Sequence, residues 1–281
     1  MEMNLILQGP GATLAAIGAL ADPARAVTLG AHAMRFENVD AGERVRAAVA
    51  LAAFPQQVDA TFIAAGRSLA DFRLVAMDMD STLITIECID EIADMQGLKA
   101  QVSAITEAAM RGELDFSASL TQRVALLAGL DATALERVYD ERLRLSPGAE
   151  AMLAGVQAAG LKTLLVSGGF TFFTERLQRR LGLDYAHANV LEVVDGKLTG
   201  KVVGGIVDAA EKKHTVERVC AELGISTQQA IVMGDGANDL QMMRIAGLAV
   251  AFRAKPLVRA QAGVALNFSG LDALLTILCS D

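Results

Sequence analysis

Two aspartates separated by a single residue are the part of this sequence best suited to chemistry. Asp78 and Asp80 close an apolar run and are followed by the hydroxyls of Ser81 and Thr82. Residues two apart on a strand point to the same side, so we expect both carboxylates to face one crevice. Neighbouring carboxylates repel unless a cation or a proton resolves the repulsion. The alternative is a turn and helix cap, which an Asp-x-Asp-Ser-Thr stretch also suits.

A glycine turn at residues 234–239 offers a second group of oxygen ligands. It reads Gly-Asp-Gly-Ala-Asn-Asp, and so adds the carboxylates of Asp235 and Asp239 and the amide of Asn238. Oxygen ligands from separate strand ends suit Mg²⁺, which binds few protein carboxylates together with waters and substrate phosphate. The two acidic stretches together predict a magnesium site.

Two further features are suited to binding an anion. Ser167, Gly168 and Gly169 present a hydroxyl and bare backbone N–H groups just before a predicted helix, where unpaired donors and a partial positive charge collect. Lys212 lies at the start of another predicted helix. Each feature alone is more typical of an ordinary loop or a solvated surface lysine, and only their combination with the aspartates favours phosphate binding.

The elements that must position these residues are strands alternating with helices. Strands are predicted at residues 73–80, 162–167, 230–233, 248–252 and 264–268, and a hairpin at 189–194 and 197–202. Helices are predicted at residues 149–159, 171–181, 209–223 and 240–246. This alternation predicts a doubly wound parallel sheet, whose ligands lie beyond the carboxyl ends of its strands. The acidic stretches and the Ser-Gly-Gly turn all follow predicted strands.

Two other segments surround this predicted sheet. Residues 87–145 have helical periodicity and no strand pattern, and about sixty residues are too many for one crossover helix, so we expect an inserted helical cap. Residues 1–70 have the order strand, helix, two strands, helix, strand, at residues 4–8, 13–20, 26–30, 33–36, 41–53 and 58–64. That order predicts a small α+β domain of ferredoxin-like kind with no catalytic constellation.

Composition and charge exclude several classes of function. The 281 residues carry a net charge of −8, which disfavours a nucleic-acid partner because phosphate backbones require a basic surface. The uncharged run at residues 3–21 has no preceding Lys or Arg and is broken by Gly-Pro-Gly, so we expect neither a signal peptide nor a membrane partner. Three dispersed cysteines and three dispersed histidines predict neither disulfides nor zinc, and favour a cytoplasmic location. A homodimer is compatible with this composition.

The motifs together resemble the signature of the haloacid dehalogenase (HAD) superfamily of phosphotransferases. That signature is Asp-x-Asp-x-Thr, then Ser or Thr, then Lys, then Gly-Asp-x-x-x-Asp, matched here at 78–82, Ser167, Lys212 and 234–239. The resemblance extends into the cap, where Glu87, residues 110–116 and Arg123 are similar to members that hydrolyse O-phospho-L-serine. It implies a HAD-like catalytic domain at 71–281 with its cap at about 87–145, and residues 1–70 resemble the small ACT-like domain of some members.

Roles for single residues follow from this resemblance. It implies Asp78 as nucleophile and Asp80 as general acid and base. It implies Mg²⁺ held by Asp78, the backbone carbonyl of Asp80, and Asp235, with Asn238 and Asp239 in support. The implied substrate-binding residues are Ser167, Gly168 and Lys212 for the phosphoryl group, Glu87 and Arg123 for the amino and carboxylate groups, and Met110 and Phe116 for an apolar lid. Asn238 also belongs to this substrate- or phosphate-binding set. Lys213 adjoins Lys212, and the spacing to Asp235 favours Lys212.

The activity implied is Mg²⁺-dependent hydrolysis of O-phospho-L-serine through an aspartyl-phosphate, the last step of L-serine biosynthesis. Two alternatives remain open at this point. One is a HAD phosphatase or phosphotransferase for another small phosphomonoester. The other is an amino-acid-sensing or interaction protein, in which the N-terminal domain binds an amino-acid effector. Without the resemblance, Glu87 and Arg123 also fit surface helix charges, and Met110 and Phe116 fit core packing.

Overall fold

The computed structural model describes residues 2–111 and 113–279, and for Met110 the backbone alone. These described residues form two sheets, one antiparallel near the N-terminus and one mainly parallel after it. None of the described helices combines the length and the apolarity that crossing a bilayer requires.

The first sheet belongs to a small α+β unit. Its elements are β1 (Met3–Gln8), α1 (Gly11–Gly18), β2 (Arg25–Gly30), β3 (Ala33–Glu37), α2 (Glu43–Ala53) and β4 (Asp59–Ala64). The antiparallel strands lie in the order β2-β3-β1-β4, which is the predicted ferredoxin-like arrangement. Its apolar core includes Leu5, Leu14, Phe36 and Val49, which pack between the sheet and the two helices. The division of the chain near residue 70 and the ACT-like kinship stay predictions.

The second part begins with β5 (Leu74–Met77) and continues into a helical region. Its helices are α3 (Cys88–Met95), α4 (Lys99–Met110), α5 (Phe116–Ala125) and α6 (Thr133–Arg137). As expected of a cap, the described residues of 87–145 contain helices and turns and no strand longer than a single bridge. Its boundaries stay a prediction.

The chain then alternates between strands and helices. The elements are α7 (Ala149–Ala158), β6 (Lys162–Phe170), α8 (Thr171–Leu181), β7 (Tyr185–Val194), β8 (Lys197–Val203), α9 (Ala209–Glu222), β9 (Ala230–Gly234), α10 (Leu240–Ile245), β10 (Leu248–Phe252), α11 (Pro256–Gln261), β11 (Val264–Leu266) and α12 (Ala273–Ile277). The strand order is β11-β10-β9-β5-β6-β7-β8, with every pair parallel except β7 and β8.

The central strand β5 is buried on both faces. Val75 and Met77 belong to one apolar layer, whereas Leu74 and Ala76 belong to the layer on the other face. Helices therefore cover both sides of the sheet, which explains why β5 is an almost uninterrupted apolar run. The first polar residue after β5 is Asp78, which lies just beyond the carboxyl end of the strand.

The structure corrects two predicted strands. The strand predicted at 73–80 ends at Met77, and a tight turn at Met79–Leu83 follows, with Ser81 in the left-handed region at φ 56°. The expectation that strand alternation aligns Asp78 and Asp80 is therefore wrong, because Asp80 lies on the turn. The strand predicted at 264–268 ends at Leu266, because the next three N–H groups donate to the carboxylate of Asp59. The sequence patterns also missed α11 and α12 and the first residues of β7.

Candidate active site

Three strand ends converge on Asp78. Met77 of β5 pairs with Leu165 of β6 and with Met233 of β9, so the residues that follow these strands meet at one edge of the sheet. The Asp78 N–H donates to the carbonyl of Met233 (3.0 Å), which continues the pairing with β9 beyond the end of β5. This register places Asp78 between the Ser167 turn and the Asp235 turn.

Lys212 is fully buried against two of the aspartates. Its Nζ lies 2.8 Å from Oδ1 of Asp78 and 2.7 Å from Oδ1 of Asp239. Burial alone would lower the pKa of Lys212, but Asp239 and Asp78 raise it above its ordinary value, so the lysine stays charged. Lys213 instead points outward and pairs with Glu217. The geometry therefore places Lys212, as the spacing favoured, in the acidic cluster.

The carboxylates of Asp78, Asp235 and Asp239 form a cluster that fits a cation. One oxygen from each lies within 4.8 Å of the others. Burial, and then Asp239, raise the pKa of Asp78 well above its ordinary value and that of Asp235 to about 7. A single lysine does not neutralise three carboxylates, and a divalent ion with oxygen ligands would relieve the remaining repulsion. Asp239 is the least free to coordinate, since Lys212 and the N–H of Gly236 bind its two oxygens.

Asp80 lies on the turn after β5, against the Ser-Gly-Gly turn. Its Oδ1 accepts the N–H of Cys88 (3.3 Å). A Cβ at Gly169 would come within 2.8 Å of Oδ2 of Asp80, so a larger residue there would displace the Asp80 carboxyl. Desolvation, and then the charge of Glu87, raise the pKa of Asp80 to about 8. A carboxyl with that pKa is protonated at neutral pH and can donate a proton.

A buried asparagine that sequence reasoning missed holds the Ser-Gly-Gly turn. Asn189 of β7 donates from Nδ2 to the carbonyl of Gly168 (2.8 Å), and its Oδ1 accepts the N–H of Val207 (2.8 Å). The Oγ of Ser167 accepts the N–H of Gly169 (2.9 Å). The pairing of β6 with β7 is irregular here, and Asn189 supplies the bonds that the irregular strand lacks. Because β7 also contains His187 and Glu192, nothing in its sequence singles out Asn189.

The cap brings its predicted residues over this edge. A Cβ at Gly168 would lie 2.7 Å from the ring of Phe116, so the aromatic ring covers the Ser-Gly-Gly turn. Oε1 of Glu87 accepts the hydroxyl of Ser81 (2.7 Å). Arg123 is half-buried, and its charge interacts with those of Glu87 and Asp80. The side chain of Met110 lies outside the described residues.

Two polar side chains complete the acidic turn. Asn238 lies so close to Gly236 that a Cβ there would collide with its amide oxygen. Thr82 donates its hydroxyl to Oδ1 of Asp235 (3.3 Å) and so links the turn after β5 to the turn after β9. The structure thus gathers these predicted site residues at one sheet edge and its facing cap: Asp78, Asp80, Glu87, Phe116, Arg123, Ser167, Gly168, Lys212, Asp235, Asn238 and Asp239.

This arrangement of aspartates, lysine and glycine turns agrees with a comparison of the chain with protein families. Residues 72–247 match the model of the haloacid dehalogenase-like hydrolases. The chain belongs to the haloacid dehalogenase-like hydrolase family. The predicted HAD-like fold and the expectation of an enzyme are thereby confirmed.

Individual relatives narrow the comparison within the HAD-like hydrolases. The chain is 59% identical, over 215 residues, to a phosphoserine phosphatase of Polaromonas sp. strain JS666, a match that covers 75% of this chain and 91% of the relative. A HAD family hydrolase from Salmonella enterica serovar Typhi has a similar structure over the whole of both chains, with a TM-score of 0.90 and 33% identity. A probable phosphoserine phosphatase from Vibrio cholerae matches with a TM-score of 0.80 and 34% identity, over 98% of this chain and 88% of the other. This chain is accordingly a phosphatase of the family.

Proposed function

We propose that this phosphatase hydrolyses O-phospho-L-serine to L-serine and phosphate, through an aspartyl-phosphate on Asp78 and with Mg²⁺ as cofactor. The observation that carries the proposal is the buried Asp78–Lys212 pair, which lies beneath a cap that presents a carboxylate and a guanidinium. Similarity to the Polaromonas phosphoserine phosphatase supports the choice of substrate. In a cell, the reaction would be the last step of L-serine biosynthesis.

In the first step, the carboxylate of Asp78 attacks the phosphorus. Among the described residues, Lys212 and the N–H of Met79 bind its Oδ1, which leaves Oδ2 to form the new P–O bond. The bond from phosphorus to the serine oxygen breaks, and Asp80 delivers its proton to that oxygen. The repulsion between a carboxylate and a phosphate is about 4 kcal/mol per charge pair at 4 Å near a surface, and Lys212 offsets part of it.

In the second step, water releases the phosphate. Asp80, now ionised, takes a proton from the attacking water, whose oxygen bonds to phosphorus while the bond to Asp78 breaks. Both carboxyls return to their starting states. Asp78, the carbonyl of Asp80 and Asp235 would hold Mg²⁺, which when bound supplies positive charge against the phosphoryl oxygens.

Recognition of the amino acid is assigned to the cap. Free phosphoserine carries an ammonium and a carboxylate, which Glu87 and Arg123 complement in charge, and an arginine can bind a carboxylate through two parallel hydrogen bonds. The second candidate, hydrolysis of another small phosphomonoester, requires no such pair. Unchanged activity of Glu87→Gln on phosphoserine would favour that candidate.

The test is phosphate release from a panel of phosphomonoesters, with Mg²⁺ and with a chelator, for the wild type and for Asp78→Asn. We expect the highest kcat/KM on O-phospho-L-serine, no turnover with the chelator, and no turnover by the variant. Activity retained by Asp78→Asn would contradict the mechanism, and a better substrate without an amino group would contradict the proposed specificity.

A second role, amino-acid sensing by the N-terminal unit, has one observation in its favour. A cavity of about 560 Å³ lies between this unit and the parallel-sheet part, lined by Gly9, Pro10 and His32 on one side and by Ser269 and Asp272 on the other. Calorimetry of the full chain with L-serine tests this role, and absence of binding heat beyond the active site would exclude it. A homodimer and a cytoplasmic location stay proposals, and light scattering of the purified chain measures the first.

A further inference from the structure

Asn189 is a buried side chain that the proposed mechanism does not use, and the two ends of its amide bind two different parts of the site. It lies on β7 and is 1% exposed. Its Nδ2 donates to the carbonyl of Gly168 in the Ser-Gly-Gly turn, and its Oδ1 accepts the N–H of Val207 just before α9, each at 2.8 Å. These two partners require a side chain that both donates and accepts, which a carboxamide does.

At its first end, Asn189 fixes one peptide unit of the Ser-Gly-Gly turn. The carbonyl of that unit belongs to Gly168 and is held by Asn189. The N–H of the same unit belongs to Gly169 and donates to Oγ of Ser167 (2.9 Å). Because Oγ accepts this N–H, the hydroxyl hydrogen of Ser167 is directed elsewhere and can be donated to a phosphoryl oxygen. The bond from Asn189 therefore orients the Ser167 hydroxyl through the peptide between them.

At its second end, Asn189 anchors the start of the helix that carries Lys212. The preceding glycines at 204–205 are loosely packed, since a Cβ added to either would meet no described atom within 4 Å. Val207 is then held by its bond to Asn189. The next residue, Asp208, caps α9 by accepting two N–H groups of the first turn. Lys212 lies one turn further along this helix, so its position follows from where the helix begins.

We propose that Asn189 is a positioning residue that holds the Ser-Gly-Gly turn and the start of α9 at a fixed separation, so that Ser167 and Lys212 meet the same phosphoryl group. The inference rests on the proposed function, in which these two residues bind that group. The turn belongs to β6 and the lysine to α9, and one planar amide bonds to both segments. Donors that are already in place lose less freedom on binding than donors that must first be brought together. Asn189 acts through them and does not itself touch the substrate.

The experiment measures the inhibition constant Ki of inorganic phosphate, together with kcat and KM on O-phospho-L-serine, for the full chain with Mg²⁺ present. Asn189→Asp keeps the shape of the side chain and the acceptor for Val207, but it sets an oxygen against the carbonyl of Gly168. We expect Ki to rise and kcat/KM to fall by about tenfold each, as loss of one buried hydrogen bond predicts. A purely structural defect would lower the active fraction, and with it kcat, and would leave Ki unchanged.

Double variants separate the two ends of the amide. Ser167→Ala should raise Ki by itself, and Asn189→Asp added to it should raise Ki by less than about twofold more, because both changes act on one hydroxyl. Asn189→Ala removes the bond to Val207 as well, so it should still raise Ki severalfold in the Ser167→Ala background, through Lys212. Asn189→Ala also supplies the comparison if Asn189→Asp does not fold.

Thr163→Val is the matched control for loss of a buried hydrogen-bonding side chain. Thr163 is fully buried at the other end of β6, and its hydroxyl also donates once and accepts once, to Oδ2 and from the N–H of Asp184, each at 3.1 Å. The substitution keeps the shape of the side chain and removes both bonds. It should lower the melting temperature and leave the Ki of phosphate unchanged.

Several outcomes would overturn the inference. A Ki equal to that of the wild type in both variants of Asn189 would mean a structural role alone, and an equal rise in Thr163→Val would mean that any weakening of β6 suffices. Additive effects of Asn189→Asp and Ser167→Ala would mean that the bond to Gly168 does not act through that hydroxyl. A wild type that hydrolyses other phosphomonoesters but not phosphoserine would contradict the proposed substrate, whereas an unchanged Ki in the Asn189 variants of an enzyme active on phosphoserine would remove the inference alone.

Discussion

The chain buries carboxylates at two places along the same edge of the parallel sheet. Hydrogen-bond donors surround the carboxylate at one place, and other carboxylates surround those at the second. Among the described residues, the carboxylate of Asp59 accepts four hydrogen bonds, from the N–H groups of Asn267, Phe268 and Ser269 and from Nδ2 of Asn267, at 2.7 to 3.3 Å. Asp78 and Asp235 instead face each other and Asp239 across less than 4.8 Å. One carboxylate accepts hydrogen bonds mainly from backbone donors, and the others are crowded by like charge.

The difference separates a structural charge from a functional one. Asp59 belongs to β4 and binds the loop after β11, so its bonds fasten the N-terminal unit to the parallel-sheet part. Because the described residues already give its oxygens four hydrogen bonds, three of them from backbone N–H groups, Asp59 is poorly suited to bind a ligand. The crowded aspartates carry raised pKa values that a bound cation would lower again. Substitution of Asp59 should therefore lower the stability of the fold, whereas substitution of Asp78 or Asp235 should lower activity or metal binding.

The largest expected effect is that of Asp78→Asn. Loss of the nucleophile should lower kcat on phosphoserine by at least about a thousandfold. The same change removes one negative charge from a crowded cluster while Asp239 still pairs with Lys212, so we expect a urea midpoint equal to that of the wild type or above it. A marked loss of stability would mean that Asp78 is a structural charge like Asp59.

Lys212 and Lys213 provide a matched pair for the next effect. Lys212→Met removes the buried cation and should lower kcat/KM by about a hundredfold or more, as loss of a preorganised charge does in other active sites. Lys213→Met removes a partly exposed lysine that pairs with Glu217, and should change kcat/KM by less than about twofold. Equal effects of the two substitutions would contradict the assignment of Lys212 to the site.

Asp59→Asn should show the opposite balance of activity and stability. The amide of the variant would place its own NH2 group against the backbone N–H groups that now donate to the carboxylate. We therefore expect a loss of about 3 kcal/mol in the free energy of unfolding. KM on phosphoserine should stay unchanged at 25 °C. Asp40→Asn is the control, because that exposed aspartate accepts one bond from Gly42 and its change should cost less than about 1 kcal/mol. Urea denaturation measures both, and similar losses would contradict the comparison.

How much of the fold and of the site could be predicted from sequence depends on how far apart along the chain the contacting residues lie. Motifs at strand ends predicted Asp78, Ser167 and Asp235 together, because parallel strands bring their carboxyl ends to one edge. The turn that places Asp80 was mispredicted, since residue types alone do not show that the strand ends at Met77 or that Ser81 adopts the left-handed conformation.

The bonds of Asn189 and Asp59 lay beyond sequence reasoning for another reason. Each side chain binds backbone groups of a remote segment. Every residue type carries the same backbone groups, so the sequence does not show which segment supplies the partner. The early end of β11 has the same origin, because its N–H groups are taken by a strand some two hundred residues earlier in the chain. Local patterns predicted which strands and helices form, whereas contacts between remote segments determine where some of them end.

The smallest expected effect is on the pH dependence of stability in metal-free protein. The folded pKa of Asp235 is about 7 and that of Asp80 about 8, both above the value of about 4 expected in the unfolded chain. The folded state therefore binds more protons, so these groups favour folding at low pH, and their contribution is lost as the pH rises from about 4 through 7 and 8. The melting temperature with a chelator should fall between pH 5.5 and 8.

Addition of Mg²⁺ should reverse that trend, because a cation favours the ionised carboxylates. The rise in melting temperature on adding Mg²⁺ should be larger at pH 8 than at pH 5.5, and both the trend and the rise should shrink in Asp235→Asn. Asp59→Asn should lower the melting temperature by a similar amount with and without Mg²⁺, since its carboxylate lies outside the cluster. Should Asp59→Asn remove the response to Mg²⁺ while Asp235→Asn keeps it, the assignment of one carboxylate to structure and the other to the metal would have to be exchanged.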